Sequence, residues 1–543
     1  MKFHSEFRSP VAASLPLWLE GVTGLKADDS DIASIVDGIK HRVGGITPSV
    51  RTKTLKEFKV FVKAMLENLF QHLDSHTDVT FDTYLEHVDL PEARKEQLRT
   101  ANESLKDTMR EIRDLKSFIK EEHYWEPKAF RTINSRSDEY KTLVGPWIHA
   151  VEKEVFKMPW FIKTVPVADR AQTVLSALDK AGRVFMSTDF TAYESSFRKE
   201  VMDACEFQFF EHMTKNIPDA ASFLEHYKEI ALNNKLKFDS LVATIVAKRM
   251  SGEMSTSIAN GFTNLMLILF TAFKQGIPFD QIDLFVEGDD SIISCVRKLT
   301  TYYFEALGFS VKMEVHSDIR NASFCGLIFS EPGHIIRDPR PVLAKFGWAM
   351  RRYVNAGYDT KLALLRSKAI SLACEYPNCP VLAPFAHRVM ELTKLAKFSK
   401  MKKIAENADN YTRRSMLNNI VSKPWQKKPN ILPTTRVLME KLYGIDVELQ
   451  YIWEDVLSNV GFGPFTLPGM ETFFDRDWTQ NWEQYVRDYN HNFPAIKRNM
   501  RRPDANTSYL PDNPVSDCRK ADLGRVVSPP GLRHSPRMPR PCA

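Results

Sequence analysis

Three aspartates carry the strongest chemical signal in this chain of 543 residues. Asp189 closes Arg183-Val-Phe-Met-Ser-Thr-Asp189, a run with the character of a short strand. Asp289 and Asp290 follow Gly288 between two further strand-like runs, Ile282-Asp-Leu-Phe-Val286 and Ile292-Ile-Ser-Cys-Val296. A glycine and two aspartates between apolar runs predict a tight hairpin, with Gly288 supplying the unusual backbone conformation. If the strand ending in Asp189 neighbours that hairpin, three carboxylates converge on rigid elements. Hard divalent cations take such oxygen ligands. Two cations a few ångströms apart stabilise the entering and leaving oxygens of an in-line phosphoryl displacement. Taken singly, each feature has a plainer reading: a hairpin turn for Gly-Asp-Asp, and a helix N-cap after a strand for Asp189.

The segment between them decides. It reads Ser251-Gly252-Glu-Met-Ser-Thr256-Ser-Ile-Ala-Asn260-Gly-Phe-Thr-Asn264. A glycine-bearing loop opens into a helix whose first turns carry Thr256 and Asn260, four apart and on one face. Together the three segments resemble the palm motifs of RNA-dependent RNA polymerases of positive-strand RNA viruses, nearest the tombusvirus-like and nodavirus-like group. Asp189-Phe-Thr-Ala-Tyr-Glu194 is similar to the first motif, the serine-glycine loop with Thr256 and Asn260 to the second, and Val286-Glu-Gly-Asp-Asp-Ser291 to the third. The resemblance implies template-directed transfer of ribonucleotides to an RNA 3′-hydroxyl with two Mg2+ ions, for which Mn2+ can substitute. It implies Asp189 and Asp289 as ligands of both metals, with Asp290 supporting. Ser251, Gly252, Thr256 and Asn260 would line the nucleotide site, and Thr256 and Asn260 would read the ribose 2′-hydroxyl, the group that tells RNA from DNA. Many relatives have Asp where this chain has Glu194, a longer side chain able to accept the same hydrogen bond.

Other segments resemble the same family. Phe118-Ile-Lys120-Glu-Glu122 with Lys128-Ala-Phe-Arg131-Thr-Ile133-Asn-Ser-Arg136 is similar to a fingers motif. Lys120, Lys128 and Arg131 would grip the nucleotide's phosphates, Arg136 would assist, and Glu122 would pair with one of these cations. Leu307-Gly-Phe-Ser-Val-Lys312 resembles a fourth palm motif. Lys312 reads either as a general acid for the departing pyrophosphate or as an exposed strand lysine. Phe324-Cys-Gly326 resembles the primer-grip turn, with Cys325 packed rather than reactive. Pro91-Glu-Ala-Arg94-Lys95 looks family-like without an assignable role, and His149 and His334 read as structural.

The elements that must position these residues form an α+β order: strand, helix, helix, strand, turn, strand. Helical patterns run over Lys53–Phe70, Pro91–Ile119, Glu200–His226 and Thr256–Lys274, and again after Pro341. Polar and proline-containing segments run from Glu121 to Pro166. The resemblance implies a right-hand polymerase of fingers, palm and thumb, with an antiparallel palm sheet, mainly helical fingers and thumb, and a ring closed from fingers to thumb. The expected divisions are 1–90, an N-terminal helical extension; 91–182, fingers with the basic motif; 183–335, palm with a fingers insertion near 205–250; 336–496, thumb; and 497–543, a disordered tail rich in Pro and Arg.

Composition agrees with a soluble globular protein, at 43% hydrophobic and 26% charged residues. The formal net charge is +6, and the tail from Lys497, with ten Lys/Arg against four Asp, carries all of it. Nucleic-acid binding by the body would therefore use a local basic channel. Lys394–Lys428 reads either as a thumb surface tracking product RNA or as a solvated helix face. Seven scattered cysteines without zinc-ligand spacing suit a reduced compartment. Neither a signal-peptide h-region nor a run of about 18 apolar residues is seen, and Leu265–Phe273 reads as a buried helix. The implied partners are RNA template and product, ribonucleoside triphosphates, and a viral or host protein that anchors the chain to cytoplasmic replication membranes. A reverse transcriptase would usually carry a bulky apolar residue where Glu194 stands. A capsid-like RNA-binding protein would suit the basic tail but not the three carboxylates.

Overall fold

The computed structural model of the chain describes residues 12–20, 25–26, 32–45, 47–105, 114–124, 129–231, 233–406, 416–420 and 427–470. The proposed tail, 497–543, and Lys128 lie outside the described residues. The fold mixes helices and sheets. Its centre is a four-stranded antiparallel sheet of β1 (Val184–Phe190), β2 (Ile282–Glu287), β3 (Asp290–Cys295) and β4 (Val311–His316) in the order β2-β3-β1-β4. Strand β1 is buried from Phe185 to Thr188 and β3 from Ser291 to Cys295. Both are covered on two faces, so they read as continuous apolar runs rather than alternating ones. Against the sheet lies helix α1 (Thr256–Lys274), buried continuously from Ile258 to Ala272. It has the length and hydropathy of a membrane span, yet 83% of its apolar window is inside the fold. That burial makes it the core helix expected from Leu265–Phe273.

A second four-stranded sheet takes Thr132–Arg136, Asp114–Ile119, Asn233–Lys237 and Val242–Val246, in that order. The chain therefore leaves the central sheet after β1, adds two strands to an upstream sheet, and returns through α1. Asp114–Ile119 was expected to continue a helix from Pro91. The helix instead stops at Glu103, and 114–119 is a strand whose burial alternates, with Leu115, Ser117 and Ile119 inside. Its lysine and serine suited a helix; pairing with both neighbours settles the two-residue period.

The polar, proline-containing stretch Glu121–Pro166 is largely regular structure. It holds the strand Thr132–Arg136 and an 18-residue helix, Asp138–Val155. The hydroxyl of Ser137 caps that helix by accepting from Tyr140 N at 3.2 Å, and Asp138 and Glu139 suit its positive end. Gly145-Pro146 conceals it in the sequence. Pro146 removes one internal hydrogen bond, but Tyr140, Val144, Ile148, Val151 and Val155 form a buried stripe that keeps the helix in place. Arg94 braces its start with a two-pronged hydrogen bond to Asp138, at 2.5 and 2.6 Å. That bond is the role the sequence left open for Arg94, and it holds the Asp138 carboxyl down at about 2. The pattern Glu200–His226 is three short helices, Lys199–Ala204, Glu206–Thr214 and Ala220–Lys228.

Beyond β4 a three-stranded meander (Ser323–Phe324, Leu327–Glu331, His334–Ile336) leads into helices that include Tyr358–Glu375, Leu382–Leu392, Pro433–Tyr443 and Val447–Asn459. His334 sits between the carbonyls of Pro332 and Asn430, a structural position. The N-terminal residues thread this C-terminal region. Ala12–Ser14 pairs with Trp348–Met350, and Leu17–Leu19 runs parallel to Gly463–Phe465. Leu15 N donates to Gly347 O at 2.8 Å. At Gly347 a Cβ would collide with the backbone and Cβ of Trp18 and stand 2.6 Å from Leu17 O. Gly347→Ala is therefore expected to unseat the N-terminal strand and cost about 1–3 kcal/mol, as overpacking does. Thermal unfolding should show a lowered midpoint; an unchanged one would mean that this seam carries no stability.

Candidate active site

The acidic side of the central sheet is built by register. Ser291 pairs with Thr188, so continuing the ladder by one residue sets Asp290 opposite Asp189. Asp290 pairs with Glu287 across the hairpin, and Asp189 pairs with Lys312 on β4. Glu287, Asp290, Asp189 and Lys312 thus form one cross-strand row, and residues in such a row share a face. Asp289 stands at the tip of the hairpin. Gly288 has φ +61 while Asp289 has no positive φ. A glycine in that first central position is the requirement of a type II′ turn.

Electrostatics register the crowding. Asp289 and Asp290 are half-buried. Burial, then repulsion from Asp289 and Asp189, pushes the Asp290 carboxyl up to about 7. Burial, then the Glu194 carboxylate, raises Asp289 as well, with Arg131 pulling the other way. Five acidic groups, Asp189, Glu194, Glu287, Asp289 and Asp290, therefore gather where the sequence had placed three. Glu194 lies on the short helix Tyr193–Ser196, anchored by an aromatic knot in which Tyr193 meets Phe190 at 4.5 Å, Phe197 at 5.1 Å and Phe309 at 5.4 Å.

Helix α1 approaches this turn edge-on. At Gly261 an added Cβ would come within 3.2 Å of Phe161 and 3.6 Å of Gly288 N. Asn260 is buried, and its Oδ1 has no hydrogen-bond partner. Tyr193 donates to its backbone carbonyl at 3.2 Å, tying it to the segment of Glu194. The Thr256 hydroxyl is engaged differently, donating to Met250 O at 3.1 Å inside the loop. Ser251 and Gly252 hold that loop to the second sheet. Ser251 Oγ donates to Thr132 O at 2.6 Å, and Asn134 N donates to Ser251 O at 2.9 Å. Gly252 has φ +133, and a Cβ there would lie 2.7 Å from Asn134 O. Only glycine permits that approach.

The basic arm joins Asp114–Ile119 to Thr132–Arg136. Glu122 pairs with both Lys120 and Arg131, the latter at 3.6 Å. Arg131 is half-exposed and within electrostatic reach of Asp289. Arg136 does not join these cations. It is buried, at 1% exposure, and pairs at 2.6 Å with Glu253, which is 2% exposed. Strand alternation turns Thr132, Asn134 and Arg136 inward, the opposite of what phosphate binding needs. Lys312 is 70% exposed and donates to Glu314 at 2.6 Å. The Cys325 thiol faces Glu287 at 3.7 Å, and burial together with Asp290 and Glu287 raises it far above the thiolate range. That environment favours the protonated thiol.

Two cations escaped the sequence reading. Arg170, 5% exposed, pairs with Glu287 at 2.7 Å, and Lys163 donates to Ser257 at 2.7 Å. With Glu287, Asp290 and Cys325 they line a cavity of about 370 Å³ beside the turn. Nothing in the local sequence marks Arg170, which lies on an ordinary amphipathic helix, Val167–Leu178.

Among the described residues no three His, Cys, Asp or Glu side chains stand ready as a closed metal cage. The donor set fits Mg2+ nonetheless. That ion keeps several waters and takes one or two carboxylates together with substrate phosphates. Carboxylates that repel one another are also a poor resting arrangement without a cation.

The comparison with known families gives one match. Residues 140–379 match the model of the family described as viral RNA-dependent RNA polymerase. That span contains the central sheet, α1 and the loop before it; the basic arm lies upstream. No curated protein matches the chain.

The two arginines of the arm region should separate in experiment. Arg136→Ala leaves Glu253 buried without its cation and is expected to cost about 3–5 kcal/mol. Arg131→Ala should leave the thermal midpoint within a degree or so of the parent, because a half-exposed pair contributes little. Equal destabilisation by both would contradict the burial difference.

Proposed function

We propose the following roles for a chain whose residues 140–379 are a viral RNA-dependent RNA polymerase domain, and which is therefore an RNA-directed RNA polymerase acting on an RNA template and ribonucleoside triphosphates. Asp189, Asp289 and Asp290 hold two divalent cations, Mg2+ or Mn2+. When bound, these supply charge neutralisation for the attacking 3′-hydroxyl and for the departing pyrophosphate. The observation that carries this reading is the register that sets Asp290 opposite Asp189 with Asp289 at the turn between.

The other roles follow from placement. Lys120 and Arg131, restrained by Glu122, meet the triphosphate as it reaches Asp289. Lys128 is assigned to the same task on its sequence motif alone. Asn260, with an unsatisfied buried amide oxygen, and Glu194 read the ribose 2′-hydroxyl. Ser251 and Gly252 shape the floor of the nucleotide site. Thr256, whose hydroxyl donates to Met250 O, reads the same sugar hydroxyl from the face of α1 that it shares with Asn260. Lys312, opposite Asp189, is the candidate acid for pyrophosphate, once it is released from Glu314.

The central sheet corresponds to a palm over 183–335. The second sheet belongs to fingers over 91–182, joined by the insertion near 205–250. The described helices between 339 and 459 belong to a thumb over 336–496, and residues 1–90 extend the fingers and reach the thumb through 12–19. A tombusvirus-like or nodavirus-like affiliation follows from the motifs quoted above. Work on cytoplasmic membranes through an anchoring partner completes the proposal.

Asp289→Asn should abolish primer extension while RNA binding persists, since it removes a carboxylate charge at constant volume. Normal turnover in Mg2+ would overturn the catalytic assignment. Asn260→Ala and Glu194→Ala should each erode selectivity for ribo- over deoxynucleotides by about 1–3 kcal/mol, the scale of a buried hydrogen bond left unmade. Competition between the two nucleotide kinds measures this, and unchanged preference in both variants would reject the sugar-reading roles.

A further inference from the structure

We infer that Asn264 is a positioning residue for the catalytic turn, holding the backbone of Gly288, Asp289 and Asp290 through its side-chain amide. This rests on the reading of Asp289 and Asp290 as the cation-holding pair. Asn264 Nδ2 lies 3.2 Å from Gly288 O, 2.9 Å from Asp289 O and 3.2 Å from Asp290 O. Two amide hydrogens are thus shared among three successive carbonyls. Each carbonyl fixes the plane of its own peptide unit. The units on both sides of Asp289 are held, and so are those on both sides of Asp290. With its flanking planes held, a residue has no freedom left in the direction of its Cα–Cβ bond. Asn264 therefore aims both carboxylates without touching either.

The surroundings argue against a packing role. Asn264 is fully buried on a helix whose following residues are Leu265, Met266, Leu267, Ile268, Leu269 and Phe270. Leucine would fill such a place without burying an amide of its own, though it would leave the three turn carbonyls without this donor, whereas an amide there is unfavourable unless bonded. Its Oδ1 has no hydrogen-bond partner, so the donor side alone offsets the burial. The hairpin also needs an outside restraint. Its tip carries two carboxylates that repel each other and Asp189, and no ladder hydrogen bond reaches beyond the Glu287–Asp290 pair. Helix α1 is a suitable anchor, since Gly261, one turn earlier, lets its backbone approach the turn. Asn260 and Asn264, four apart, share a face. The sugar-reading position and the catalytic turn are thereby referred to one rigid element.

The test uses Asn264→Leu, which keeps shape without a donor, and Asn264→Asp, which keeps shape with at most one O–H donor in place of two N–H groups, both in the full chain. In primer extension at saturating nucleotide, kcat should fall at least 30-fold in each. The nucleotide KM should stay within threefold, and the Mg2+ concentration for half-maximal rate should rise at least fivefold. Thermal unfolding of Asn264→Leu should leave the midpoint within a few degrees of the parent, well above the assay temperature, since the unmet carbonyls cost only a modest part of the stability. If Asn264→Leu is insoluble, the same split between kcat and KM in Asn264→Asp decides. Turnover within threefold of the parent would overturn the inference. So would a loss confined to KM, or a loss explained by a lower unfolding midpoint. Asp289→Asn run alongside separates the two levels. If it retains turnover, the catalytic reading fails; if it is inactive while Asn264→Leu is normal, only the positioning role fails.

Discussion

Like charges held close together on a half-buried surface must be restrained from every side, and that constraint organises this molecule. Asp189, Asp289 and Asp290 converge at one end of the central sheet, with Glu194 and Glu287 near enough to add to the repulsion. In water such carboxylates would move apart. Here a sheet register, a tight turn and a buried helix deny them that freedom. The fold accepts an unfavourable resting arrangement because the site is complementary to added positive charge, from cations and from the basic arm that reaches it.

The restraint extends into the second sheet through the loop that precedes α1. Arg136 and Glu253 pair in the interior, and Arg249 with Glu206 forms another fully buried pair beneath the same loop. Arg249 also stacks on Phe197, 4.7 Å from its ring, and donates to Ser255 at 3.3 Å. Isolated ions of this kind would be costly, and even paired they add little net stability. Their use lies in directional bonds. Apolar packing alone would let the loop slide, whereas two ion pairs and the contact of Gly252 with Asn134 O leave it one register. Ser251 and Gly252 of the loop are then fixed relative to both sheets.

Much of the site was legible in the sequence because its chemistry is local. A carboxylate at a strand end, a Gly-Asp-Asp turn and a Ser-Gly loop opening a helix each carry their conformation within a few residues. Gly288 with its positive φ, and α1 over the predicted Thr256–Lys274, follow from turn chemistry and apolar content without help from the rest of the chain. Glu122 also pairs within the arm, as its neighbours Lys120 and Arg131 suggested.

Other features required the tertiary structure. Asp114–Ile119 is a strand because Thr132–Arg136 and Asn233–Lys237 flank it, and the latter lies more than a hundred residues downstream. Arg136 faces inward because its strand pleats that way, so an arginine with a phosphate-binder's spacing became a structural ion. Arg170 reached Glu287, and Asn264 reached the Gly288–Asp290 turn, only when distant segments were packed together. The sequence alone determined which residue types stand together as candidates for chemistry and the local shape of the turns that present them. Tertiary structure decided their aim, because backbone planes and buried charges are oriented by partners far along the chain, and no local pattern encodes such partners.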